Sequence, residues 1–422
     1  MKIPNKKDFF NFILNYKWIL IIFVIFLIFQ IYQSGIFFWD PLVYQLNGNW
    51  FCGEQVYFEF LRPPLPAAVH CLVGLGENSI LLSNIVASFV YLFAVILLYK
   101  KEIKKRKIDQ LIFALFIFLI PQILVFGNFG GDFFALSFLI IALTIKPSFL
   151  KGVVFGLATL SRYNFLLYFI LLINYKKFNI KEFAKVFGGF FITWLPWLIY
   201  NYFNSGNFLF SVEETIYLNL LLKGVLSSIE LNQILLISFF VVVLFLSDYK
   251  NNLKSIFAKA GILALVQFIL SGIKETRFLN VFVPFQAIKI SELSVLNKNY
   301  KIFFIFVIIL MFIYSLNFLS INRPVQEIPQ QVIDSNCRVM SDNWVYFYKF
   351  GIVAEPLPGP DSYYYFLDKG VSLVFYDKNN FSEIGDFNLI ETNDYILVLS
   401  TVCASRPNKY ELLVWRGNNQ QD

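Results

Sequence analysis

The chemistry-bearing residues of this chain stand at the edges of its apolar runs. Asp40, in Trp39-Asp40-Pro41-Leu42-Val43-Tyr44, follows the first run directly, and Asp132 follows Gly130-Gly131 and opens another. A carboxylate beside a bilayer is costly unless it is solvated, paired or used. Both aspartates are therefore candidates for the base that deprotonates a substrate hydroxyl, or for the group that orients it. Each also suits a helix start. Asp before Pro is a good N-cap with proline at the first helical position, which predicts a juxtamembrane helix from Pro41 to about Asn49. The two roles are compatible, because a capping carboxylate is held rigidly. Glu54 and Glu59 share the loop of Asp40 and read as ordinary loop acids.

Cations form a matching set. Arg62 precedes Pro63-Pro64, Arg162 lies between two short apolar segments, and Lys274-Glu275-Thr276-Arg277 sits at a junction of spans. An arginine at bilayer depth costs at least ~2.5 kcal/mol on insertion scales, so it snorkels to the surface or binds an anion. Phosphate suits a guanidinium best, through bidentate, charge-assisted hydrogen bonds. Anchoring to phospholipid headgroups is the competing account of all three arginines. No Cys/His spacing suits a metal, the single histidine, His70, reads as an interfacial residue, and no cofactor is assigned.

The elements that must position these residues are membrane spans. Apolar residues make up 58% of the 422 and charged residues 15%, with a mean hydropathy of +0.63, which is the composition of a polytopic α-helical membrane protein. Apolar runs fall near 18–37, 80–99, 110–127, 132–146, 151–161, 163–175, 184–202, 231–247, 258–273, 278–291 and 301–320, giving about eleven expected spans. The first run is followed by Trp39 and Asp40 rather than a small-residue cleavage site, so it is expected to stay as an anchor. Most basic residues, including those in 100–107, fall in segments that are cytoplasmic if the N-terminus is inside. The outer loops before residue 320 then hold Arg62, Arg162, Lys223, Lys274 and Arg277. The net charge of +7 thus reports topology and gives no reason to expect nucleic acid.

An odd span count puts the C-terminus outside. The chain divides into a membrane domain, 1–321, and a small extracytoplasmic α/β domain, 322–422, where the composition turns soluble. Within the latter, Cys337–Ser341, Val371–Tyr376, Tyr395–Ser400 and Tyr410–Trp415 read as strands, Trp344–Phe350 as a helix and Glu355–Pro360 as a Pro/Gly loop. All four cysteines fall on outer segments, where disulfides persist. Cys52 with Cys71 and Cys337 with Cys403 are the natural pairs, although four cysteines allow three connectivities.

The residues resemble the GT-C glycosyltransferases that use polyprenyl-phosphate sugars, the group of the protein O-mannosyltransferases and lipid A aminoarabinose transferases. The matching elements are Trp39-Asp40 with Tyr44, then Arg62-Pro63-Pro64-Leu65, then Gly156-Leu157-Ala158-Thr159-Leu160-Ser161-Arg162-Tyr163. The last is Glu275-Thr276-Arg277-Phe278 followed by Val283-Pro284-Phe285. The resemblance covers 18 to about 320 and implies a GT-C-like membrane enzyme. It would move a sugar from a dolichyl- or undecaprenyl-phosphate donor to a protein, lipid or glycan acceptor outside the cytoplasm, with inversion. Asp40 then matches the family's base, while Asp132 stays a candidate catalytic acid from its place beside an apolar run. Arg162 and Arg277 match cations near the lipid phosphate, and Tyr44, Arg62, Tyr163 and Glu275 join the substrate-binding set. The chain departs from the pattern at Pro41, where many members carry a second acid.

Two other classes stay in view. A transporter of a lipid-linked or anionic solute would also place Arg and Asp near spans, but transporters show inverted repeats with sites near the midplane, and no internal repeat is visible here. A catalytically inactive relative serving as a partner subunit is compatible with Pro41. The expected location is the plasma membrane, multi-pass, with the N-terminus cytoplasmic.

Overall fold

The computed structural model describes residues 6–33, 39–54, 57–74, 78–125, 131–173, 178–217, 229–246, 249–271, 274–321, 327–381, 387–408 and 410–412. Gly130, Lys223, the junction at Asn322 and the end of the fourth expected strand, 413–415, lie outside the described residues. The chain forms two compact units. One comprises Met1–Gly35, Pro63–Pro66 and Leu81–Asn322, and the other Ile36–Arg62, Ala67–Ile80 and Arg323–Asp422. Most of the loop after the first apolar run therefore belongs to the unit that holds the C-terminal hundred residues.

The first unit is a helical assembly. Four helices are long and apolar enough to cross a bilayer by length and composition: Ser79–Glu102, Ile180–Ser205, Thr276–Leu296 and Lys298–Asn317. The other apolar helices run 10–17 residues, so among the described residues helix length alone gives four spans and not eleven. Large apolar side chains such as Ile28, Phe93, Phe203, Leu270 and Phe303 are more than half exposed, as a lipid-facing surface requires. Together these features define a multi-pass membrane protein.

Three expected spans differ from simple helices. The run at 110–127 is a helix Gln110–Leu119, capped by Asp109, whose carboxylate accepts from the amides of Leu111 and Ile112. It stops at Ile120, which adopts an extended conformation (φ −76°, ψ 150°) because Pro121 follows, and a short turn Pro121–Leu124 completes it. The run at 163–175 is a 3-10 helix, Tyr163–Leu172. The run at 278–291 begins as a 3-10 helix, Thr276–Phe282, before continuing as the α-helix Val283–Leu296. Ten and seven residues are long for 3-10 geometry, whose hydrogen bonds are poorer, and such stretches often mark functional segments.

Among the described residues of the first unit, the helices Ser148–Ser161 and Ile180–Ser205 form the most extensive helix pair. Glycine makes their approach possible. A Cβ on Gly152 would strike the Val186 carbonyl, and one on Gly189 the Phe149 carbonyl.

In the second unit, the helix Trp39–Phe51 starts earlier and ends later than expected, so Asp40 lies in its first turn and is not the N-cap. It packs on the helix Pro64–Val73 through Gly48, where a Cβ would meet the Ala67 carbonyl and the His70 side chain. The Cys52–Cys71 disulfide closes the same crossing, and Cys337–Cys403 forms as well. The short strand β1 (Tyr57–Glu59) pairs in parallel with β7 (Tyr410–Leu412).

The C-terminal sheet contains β2 (Val339–Ser341), β3 (Glu355–Pro356), β4 (Ser372–Phe375), β5 (Asn388–Glu391) and β6 (Ile396–Leu399), in the order β3-β2-β4-β6-β5. β2 runs parallel to β3 and β4, whereas β6 is antiparallel to β4 and β5. The four strands expected from sequence are present at their described residues. Glu355–Pro356, expected to be loop, is a two-residue edge strand, a place where proline is tolerated. Trp344–Phe347 is helical, with Tyr348–Phe350 tightening to 3-10. Leu42, Val43, Leu46 and Tyr57 enter the same apolar core as Val339, Trp344, Phe347 and Leu397.

Two outcomes follow. Gly189→Ala forces the helix pair apart and lowers stability by about 1–3 kcal/mol, while Gly188→Ala, whose Cβ meets nothing within 4 Å, keeps the melting temperature in detergent at or slightly above that of wild type. His70 is buried, which lowers its pKa to about 4, against a smaller upward effect of its hydrogen bond to the Ser79 backbone. The unfolded chain therefore takes up this proton first. Stability is level above about pH 6.5 and falls by up to roughly 3 kcal/mol as the pH drops to 4. His70→Gln should remove that slope in unfolding curves taken across this range.

Candidate functional site

The expected site residues fall into two charged groups, one in each unit. In the second unit, Arg62 lies between two carboxylates. Its Nη1 donates to Asp40 Oδ1 at 2.9 Å and its Nε to Glu59 Oε2 at 2.6 Å. Glu59 is fixed in turn. Its Oε1 accepts from the Tyr57 hydroxyl at 2.5 Å, while Asn47 grips its backbone, Nδ2 donating to the Glu59 carbonyl and Oδ1 accepting from the Glu59 amide, each at 2.9 Å. The relay Tyr57–Glu59–Arg62–Asp40 thus sets the position of Asp40 from a buried clamp.

Burial alone would lower the pKa of Arg62, but Glu59, Asp40 and then Tyr44 more than reverse this and raise it well above its usual value. Burial and the Glu59 carboxylate push the Tyr57 phenol well above its ordinary range, so it stays protonated and donates. Two carboxylates sharing one guanidinium leave these three side chains with one net negative charge. Tyr44 is buried on the same helix, one turn beyond Asp40.

In the first unit, Asp132 opens the helix Asp132–Thr144 with Gly131 as its N-cap, so this aspartate too lies inside the helix and does not cap it. Its two oxygens accept from one guanidinium in parallel, Oδ1 from Arg162 Nε at 2.8 Å and Oδ2 from Arg162 Nη2 at 2.5 Å. Arg277 Nη1 lies 3.8 Å from Asp132 Oδ2, and Arg277 Nε also pairs with Glu275. Arg162 and Arg277 each stand at the N-terminal side of a 3-10 helix, and Asp132 draws both toward the start of a third element. A small pocket adjoins them, lined by Asp132, Asn164, Tyr168, Gln267, Arg277 and Asn280 among others.

Two expected participants have structural partners. The Tyr163 hydroxyl accepts from Trp197 Nε1 at 2.7 Å and lies 3.0 Å from Ser211 Oγ, which joins its 3-10 segment to the helix Ile180–Ser205. Lys274 Nζ donates to the carbonyls of Phe268, Ile269 and Ser271, capping the helix Ile256–Leu270 at the end where a cation is favoured. Among the described residues no cluster of three His, Cys, Asp or Glu side chains is arranged to hold a metal.

Several members escaped sequence reasoning. Glu59 read as an ordinary loop acid, and Asn47, Tyr57, Asn164, Gln267 and Asn280 carried no role. One signal was available for two of them: Arg162-Tyr163-Asn164 and Arg277-Phe278-Leu279-Asn280 each put an asparagine shortly after an arginine inside an apolar stretch, where an amide is costly unless it has a partner.

No protein-family model matches the chain, and no curated protein matches it. Among solved structures it is similar to the archaeal oligosaccharyltransferase AglB from Archaeoglobus fulgidus, solved in complex with an inhibitory peptide and a dolichol-phosphate. The similarity covers 87% of this chain and 70% of that one, at 13% identity and a TM-score of 0.45.

The charge relay makes a specific demand. Arg62→Ala strips from Asp40 and Glu59 the cation they share and lowers stability by about 3–5 kcal/mol. Adding Glu59→Gln recovers part of that loss, as unfolding in detergent will read. Equal stability of wild type and Arg62→Ala would show that the cation is not what holds these carboxylates.

Proposed function

We propose that the protein is a membrane glycosyltransferase of the GT-C type that moves a sugar from a polyprenyl phosphate to a hydroxyl acceptor outside the cytoplasm, with inversion. The observation that carries this reading is the pair Arg162 and Arg277 gathered by Asp132 beside a pocket with polar walls. A lipid phosphate is the anion such a pair suits, because guanidinium matches its oxygens in bidentate fashion. The sequence resemblance of these segments supports the same assignment.

The chemistry asks for two things. The departing phosphate must have its charge stabilised, and the attacking hydroxyl must lose a proton. Arg162 and Arg277 supply the first. Asp40 supplies the second, with Arg62 and Glu59 as positioning residues. Asp132 acts through the arginines, since both its oxygens already accept from Arg162. Glu275, at 37% side-chain exposure against 13% for its partner Arg277, is the more accessible member of that pair and the one a phosphate displaces. With no pyrophosphate to neutralise, the reaction has no obligatory metal.

The topology in this proposal is the one expected from the basic residues, with about eleven spans, the N-terminus cytoplasmic and the C-terminal hundred residues outside, in the plasma membrane. Both disulfides support an outer location for their segments.

The test is release of free polyprenyl phosphate from a panel of radiolabelled polyprenyl-phosphate sugars by the purified protein, with host membrane extract as acceptor. Asp40→Asn is expected to lower release by at least about a hundredfold, the scale of a lost general base, with donor binding kept, while Arg162→Ala weakens donor binding. Equal release by wild type and Asp40→Asn would move the base elsewhere. Donor binding without release by any form would point to an inactive partner subunit, and absence of binding would point to a transporter.

A further inference from the structure

The walls of the pocket in the first unit contain a demand that a phosphate does not meet. Asn164 and Asn280 both line it, and the side-chain oxygen of each is buried with no hydrogen-bond partner among the described residues. Asn280 is only 4% exposed. Tyr168, also in the wall, donates its hydroxyl to Gln267 Oε1 at 3.4 Å. A buried carbonyl oxygen left unpaired is unfavourable, and two in one pocket on different elements point to a ligand. These two oxygens are acceptors, as are those of an ionised phosphate, so a donor from another part of the molecule is needed to pair them.

We infer that Asn164 and Asn280 are specificity-determining residues that read a hydroxyl on the sugar of the lipid-linked donor, next to the phosphate site of Arg162 and Arg277. This rests on the glycosyltransferase reading and deepens it. The cavity is small, about 10 Å³, enough for about one water-sized group. It therefore suits a single hydroxyl and not a whole ring. A bound hydroxyl would donate its one hydrogen to an asparagine oxygen, or share it between the two in a bifurcated bond, while its own lone pairs could accept from Arg277. A bare polyprenyl phosphate has no such donor. The two asparagines would accordingly discriminate between loaded and spent carrier, favouring release of the product lipid.

The experiment compares affinities in detergent or nanodiscs for undecaprenyl phosphate and for undecaprenyl phosphate carrying mannose, glucose, galactose or 4-amino-arabinose. Wild type, Asn164→Ala, Asn280→Ala and Arg277→Ala are used, with melting temperatures as the folding control. Wild type should bind one sugar-bearing lipid several-fold more tightly than the bare lipid. Asn280→Ala and Asn164→Ala should each reduce that ratio about three- to tenfold while leaving affinity for bare undecaprenyl phosphate and the melting temperature unchanged. Arg277→Ala should weaken binding of both kinds of lipid. If wild type binds both lipids and either asparagine variant keeps the wild-type ratio, the inference fails while the phosphate site stands, and the cavity holds only water. It fails equally if wild type shows no preference, or if affinity for both lipids falls together in the asparagine variants. If wild type binds neither lipid, the reading of the whole site fails and this inference with it.

Discussion

Ionised groups in an apolar protein must be partnered, and that single constraint organises both candidate sites. Asp132 and Arg162 meet in a bidentate pair, the geometry that best offsets the desolvation of both charges. Removing either partner would strand the other in a poorly solvated place. The pair also has a geometric effect. Asp132 begins one helix, Arg162 ends another and precedes a 3-10 segment, and Arg277 opens a second 3-10 segment. Their convergence ties together the ends of elements far apart in the chain.

Two 3-10 segments contribute arginines to this convergence. Tyr163–Leu172 and Thr276–Phe282 carry their arginines at the N-terminal side. Arg162 and Arg277, with Asp132 between them, thus stand beside the polar residues of one pocket wall. Tyr163 and Lys274 also hold the neighbouring helices: one through Trp197 and Ser211, the other through three carbonyls of a helix end.

In the second unit the relay from Tyr57 to Asp40 depends on covalent and apolar support. The Cys52–Cys71 disulfide and the close contact at Gly48 fix the helix Trp39–Phe51 against Pro64–Val73. Leu42, Val43 and Tyr57 embed that helix and its following strand in the core of the C-terminal sheet. Asp40 is therefore carried on a helix held by a disulfide, a close helix contact and an apolar core.

Much was legible in the sequence because it depends on local composition. Apolar run length announced a membrane protein, β-branched and aromatic clusters announced β2, β4, β6 and β7, and cysteine spacing suggested both disulfides. Asp40, Arg62, Asp132, Arg162 and Arg277 stood out because a charge beside an apolar run is improbable without a use. Where geometry was subtler the reading missed. Pro121 cut a span, Pro356 joined an edge strand, and both aspartates sat one step inside their helices. What only the tertiary structure decided was pairing: that Asp132 serves Arg162, that Glu59 belongs to Arg62, and that Asn164 and Asn280 face one pocket. The reason is physical. Composition and periodicity report the cost of placing a residue in an environment, which acts at each position, whereas hydrogen bonds and ion pairs depend on distances of about 3 Å between residues that the chain brings together only by folding.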